Sequence, residues 1–88
     1  MAHLGEFSIN TGYQYKKLGD LTGITFESGK TYLIQTNNDA KYIACATQPT
    51  EGGFFINTLD LMSYTHQDGV DLYIKTCTNY GSTVNIAE

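Results

Sequence analysis

The chain has 88 residues, 41% of them hydrophobic and 16% charged, which suits one globular domain around a single modest core. Five lysines, no arginine and nine carboxylates give a net charge of −4, which argues against nucleic acid and anionic lipid as partners. No apolar run approaches the roughly 18 residues of a membrane helix. The opening Met1-Ala2-His3-Leu4-Gly5-Glu6 lacks the basic and apolar regions of a secretory signal.

Short alternating runs separated by turn residues fill the chain from its first residues onward. Phe7 and Ile9 alternate with polar neighbours over 6–10, and Thr11-Gly12 breaks the run. Tyr13 and Tyr15 alternate over 13–16 before Gly19-Asp20, and Ile24 and Phe26 alternate over 24–27 before Ser28-Gly29. The next run, 31–36, is dense in apolar residues and is closed by Asn37-Asn38-Asp39, side chains that tolerate positive φ. A strand over 41–47 leads into the longest loop, Gln48 to Gly53, which holds the one proline. Residues 54–57 form a short strand, and 58–64 are less regular. Gln67-Asp68-Gly69 is a turn. The segments 70–76 and 83–87 read as a hairpin across Asn79-Tyr80-Gly81-Ser82.

No window of 11 residues keeps apolar positions at i, i+3, i+4 and i+7 with polar residues between them, and good helix formers are scarce. About eight strands with turn signals every 8 to 12 residues predict an all-β fold, a small antiparallel sandwich or barrel. Alternate residues of a strand point to opposite sides. By that parity the expected core is Phe7, Ile9, Ile24, Phe26, Tyr32, Ile34, Ile43, Cys45, Leu72, Ile74, Val84 and Ile86. The chain ends just after its last strand, so that strand is expected to pair inside the sheet, as in a complete small gene product.

Chemistry is sparse. Cys45 and Cys77 form no CxxC pair and fall on faces of opposite character, which favours two free thiols, Cys45 buried and Cys77 exposed. His3 and His66 have no metal-ligand spacing, and no glycine-rich phosphate loop is present. Asp60, Asp68, Asp71 and Glu51 could reach calcium only if loop closure gathered them, and they do not follow the EF-hand pattern. No catalytic residue, metal site or cofactor is therefore expected.

The aromatic residues are the informative ones. Seven tyrosines in 88 residues is high, and tyrosine suits interfaces and sugar sites because it combines apolar area with a hydroxyl. Tyr32, Tyr42 and Tyr73 fit strand positions at the edge of the core. Tyr13, Tyr15, Tyr64 and Tyr80 lie in or near loops. In Gly53-Phe54-Phe55-Ile56, core positions for Phe54 and Ile56 put Phe55 on the outer face with Asn57 and Leu59. A large outward aromatic argues for a partner surface. The expected oligomer or partner interface is thus Phe55, Leu59, Tyr13 and Tyr15. A second candidate is a ligand loop of Tyr64, His66, Gln67 and Asp68, an aromatic platform beside amide and carboxylate groups suited to sugar hydroxyls.

The closing stretch DGVDLYIKTCTNYGSTVNIAE, with the earlier GKTYLIQTNNDAKYIA, resembles small β-structured virion proteins of tailed bacteriophages, head-decoration proteins and tail-fibre tips among them. The likeness covers about 20 residues of the C-terminus, and tryptophan and a coiled-coil or collagen-like stem, features of fibre tips, are lacking. It implies a symmetric homo-oligomer, often a trimer, fixed to a larger viral assembly and made in the host cytoplasm. Two functions follow: a non-enzymatic structural or adhesion domain that oligomerises and attaches to a virion, and a small carbohydrate-binding module. An accessory protein whose acidic face docks on a basic partner is a third.

Overall fold

Among the described residues eight strands form, in two four-stranded antiparallel sheets that pack as a sandwich and not as a closed barrel; six come from the alternating segments, and another, at 61–65, arises largely within the stretch that looked irregular. The structure is a computed structural model describing residues 2–77 and 81–88. The strands are β1 (His3–Ile9), β2 (Lys16–Lys17), β3 (Thr31–Thr36), β4 (Ala40–Cys45), β5 (Phe54–Ile56), β6 (Leu61–Thr65), β7 (Asp71–Thr76) and β8 (Ser82–Ala87). One sheet runs β1-β8-β3-β6 and the other β2-β7-β4-β5.

The order corrects the expected hairpin of the last two strands. β7 pairs with β2 and β4, whereas β8 lies in the opposite sheet between β1 and β3. The expected turn includes Asn79 and Tyr80, which lie outside the described residues. The last strand does pair inside its sheet, as its position in the sequence suggested.

Burial follows the two-residue period on the inner faces. In the first sheet Ile9, Tyr32, Ile34, Val84 and Ile86 are buried, and Phe7 and Met62 pack against them. In the second, Ala40, Ile56, Leu72 and Ile74 are buried and Tyr42 packs on them. The inward row of β4 is therefore Ala40 and Tyr42, not Ile43 and Cys45. The register explains it: Ala40, Tyr42 and Ala44 lie opposite Thr76, Ile74 and Leu72 of β7, so they share its inner face. Ile43 and Cys45 fall in the outer row and are only half-buried.

Two expected strands take other forms. Residues 13–16 are mostly turn, with only Lys16–Lys17 joining a ladder. A one-turn helix, α1 (Leu18–Thr22), follows; its Leu18 is fully buried, and Gly23 ends it in the left-handed conformation at φ 77°, with its N–H donating to the Gly19 carbonyl at 2.8 Å. The 24–27 segment keeps its alternation in burial but has no partner strand among the described residues. Phe26 packs edge-on against Tyr32, ring centroids 4.8 Å apart, and the Glu27 N–H donates to the Tyr32 hydroxyl at 2.8 Å. Side-chain contacts hold this segment where a ladder would otherwise.

Candidate interaction surface

The side of the sandwich carrying β5 and β6 collects most of the exposed large apolar side chains. These are Phe54, Phe55, Leu59 and Leu61, each between 63% and 67% exposed, all within residues 54–61. β5 ends one sheet and β6 ends the other, and the short link 57–60 keeps the two edges together. The four side chains wrap this edge. Phe55 lies opposite Lys41 in the outer row of its sheet, and Leu61 lies opposite Gln35 in the outer row of the other.

The link is held firmly. Asp39 accepts hydrogen bonds from the Thr58 N–H at 2.7 Å and the Thr58 hydroxyl at 2.8 Å, and these bonds hold its carboxyl below the usual carboxylate range. The Leu59 N–H donates to the Thr36 carbonyl at 2.9 Å, and the Leu59 carbonyl accepts from Gln35 Nε2 at 2.8 Å. These bonds fix Leu59 at φ 66°, a left-handed conformation that a non-glycine residue adopts at a cost. An apolar side chain is thereby presented to solvent from a clamped, strained position.

The interface residues expected from sequence divide in two. Phe55 and Leu59 are exposed on this edge, and Tyr13 is 57% exposed in a different turn, at φ 64°. Tyr13 lines a groove of about 360 Å³ with Gln48, Pro49 and Thr50. Tyr15 is a correction: it is buried, at 1% exposure. The loop after β4 folds over it, so that its hydroxyl donates to the Gly52 carbonyl and its own carbonyl accepts from Gln48 Nε2 at 2.6 Å. Lys75 lies over the ring at 4.8 Å. Burial pushes the Tyr15 phenol above its ordinary value, and the Cys77 and Cys45 thiols add to the rise. Phe54 is also displaced from expectation. It shares the inward parity of buried Ile56 but sits beyond the end of the core, stacked at a tilt on Tyr42 with centroids 5.7 Å apart.

The ligand loop fares differently. Tyr64 is buried in the core at 8% exposure, with Phe26 edge-on at 5.8 Å and its hydroxyl 2.6 Å from His66 Nδ1. It cannot serve as the expected sugar platform, because its faces are already covered. Burial raises its phenol, and Asp71 and Tyr32 add to that. His66 is half-buried and opens onto a cleft of about 310 Å³ with Phe26, Asp20, Asp71 and Lys17, while Gln67 and Asp68 stay on an exposed turn outside it. The cleft's charges are partly spent, since Lys17 pairs with Asp71 at 3.4 Å.

Among the described residues no three His, Cys, Asp or Glu side chains converge as a metal site would need. Cys45 and Cys77 are free; Cys45 donates to the Thr47 carbonyl at 2.9 Å and Cys77 is exposed. Among the described residues no helix is long and apolar enough to cross a membrane. Comparisons with protein-family models, with curated proteins and with solved structures give no match to this chain.

A feature missed in the sequence is the pairing of Lys41 with Lys75 across β4 and β7. Directly opposed like charges destabilise a sheet. Here each ammonium turns to an aromatic ring, Lys41 over Phe55 and Lys75 over Tyr15, both at 4.8 Å. Cation–π attraction offsets the repulsion. The signal was not readable because the register that opposes the two lysines is set by the sheet.

Proposed function

We propose that this chain is a non-enzymatic structural and adhesion domain that assembles, through the edge formed by β5 and β6, with copies of itself and with a larger particle. The observation that carries the reading is the run of Phe54, Phe55, Leu59 and Leu61, exposed on two neighbouring sheet ends. Exposed apolar residues gathered in this way mark interaction sites more often than chance surface exposure does. The C-terminal resemblance supports a tailed-phage virion as the setting, with the domain decorating a capsid or fibre after synthesis in the host cytoplasm. The carbohydrate-binding alternative loses its main support with the burial of Tyr64.

Light scattering on fractionated protein tests the reading. Self-association at high micromolar concentration that Phe55→Asp abolishes is the expected result. Phe55 is 67% exposed and its Lys41 contact becomes an ion pair in the variant, so folding is little affected. A protein whose mass is unchanged by Phe55→Asp would refute this edge as the adhesive surface.

A further inference from the structure

A sheet edge presents unpaired backbone groups, and stable proteins blunt such edges with brevity, charge, proline or a bulge. Three of the four edges of this sandwich are blunted. β1 has a register irregularity between His3 and Gly5 and carries Glu6. β2 is two residues long and both are lysine, and β5 is three residues long. β6 is the exception: five residues, Leu61-Met62-Ser63-Tyr64-Thr65, with no charge, proline or glycine.

The ladder phase shows what this edge offers. The His66 N–H donates to the Lys30 carbonyl at 3.0 Å, continuing the pairing of Thr31 with Thr65. In an antiparallel ladder such bonded positions alternate. Met62 and Tyr64 therefore bond inward to β3, and the amides and carbonyls of Leu61, Ser63 and Thr65 face outward.

We infer that β6 pairs with β6 of a second copy, antiparallel about a two-fold axis at Ser63, joining two four-stranded sheets into one of eight. This rests on the adhesive reading above and names its partner and geometry. Centring on Ser63 sets Leu61 opposite Thr65 of the second copy on the outer face, and Met62 opposite Tyr64 on the inner face. The outer pair sets the exposed Leu61 beside the exposed Thr65 of the second copy, which covers apolar surface on both chains. The flanking residues decide the direction. The same register brings Asp60 opposite His66 at both ends, a carboxylate facing an imidazole, whereas parallel pairing in register would set Asp60 against Asp60. A two-fold contact of this kind closes on itself and gives a dimer, or a dimeric unit within a larger assembly, instead of an open fibre.

The test combines sizing with amide exchange by NMR. The wild-type chain is expected to dimerise with concentration. Met62 and Tyr64 amides should be protected at every concentration, and those of Leu61, Ser63 and Thr65 only as dimer forms. Ser63→Lys, at an exposed position, sets two ammonium groups together at the axis and should leave a folded monomer. Ser63→Pro removes only an outward donor and should do the same, with circular dichroism reporting the fold in both. A dimer that survives both variants, with the Leu61, Ser63 and Thr65 amides unprotected, overturns strand pairing. If Phe55→Asp dissolves that dimer, the adhesive reading stands without it. A dimer lost in Ser63→Lys and unchanged in Phe55→Asp keeps strand pairing and rejects the apolar edge. A chain that stays monomeric at all concentrations overturns both.

Discussion

Truncating Tyr15 is expected to destabilise the fold and not to dissolve its assemblies, the reverse of what a surface tyrosine would do. The ring is 1% exposed, capped by the loop after β4 through its hydroxyl and its carbonyl. Replacing a buried aromatic with alanine costs about 3–5 kcal/mol. A domain of this size has a total stability of roughly 5–15 kcal/mol. Tyr15→Ala should therefore remove a fifth or more of it and lower the urea midpoint clearly. Tyr15→Phe keeps the ring and loses one neutral hydrogen bond, a change of about 0.5–1.5 kcal/mol. The Gly52 carbonyl it leaves lies in an exposed segment where water can replace the hydroxyl, so the low end is expected. Urea unfolding followed by circular dichroism, with unchanged slope, measures both. Equal small losses for the two variants, under about 1 kcal/mol, would show that the ring is not held as described. A loss of self-association in Tyr15→Phe with unchanged stability would return Tyr15 to the interface.

Three further outcomes follow from named contacts. The Thr36 hydroxyl is buried with no hydrogen-bond partner among the described residues, so Thr36→Val should stabilise by about 1 kcal/mol and raise the melting temperature by roughly 4–8 °C; a lower melting temperature would show that the hydroxyl is bound. Gly53 sits at φ 103°, where an added Cβ would meet the Tyr15 hydroxyl and the Tyr42 carbonyl, so Gly53→Ala should destabilise by more than about 1 kcal/mol in the same unfolding assay. Tyr15 and Tyr64 both have phenols raised by burial, so the unfolded chain loses these protons first as pH climbs past about 10. Stability should then fall with rising pH from the ordinary tyrosine value until the folded phenols ionise, by at most about 1.4 kcal/mol per pH unit for each. Denaturant midpoints across alkaline pH measure this, and a flat profile for wild type with Tyr64→Phe unchanged would refute it.

The alternation of apolar and polar side chains by itself determined that the chain is built of short strands, and it located the inward rows of β3, β7 and β8 correctly, because a two-residue period is a property of each strand alone. It likewise placed Phe55 and Leu59 on the outside. Which of two rows faces the core is not a local property. In β4 both rows contain apolar residues, and only the register with Leu72 and Ile74 turned Tyr42 inward and Ile43 outward. Tyr15 and Tyr64 looked alike as loop-side aromatics, and it took the loop from 46 to 53 and the ring of Phe26 to bury them. The last two strands looked like a hairpin because they are neighbours in sequence, yet they belong to opposite sheets. Pairing partners, and with them the edges left open, depend on contacts between residues far apart in the chain, and those distances are closed only when the sandwich forms.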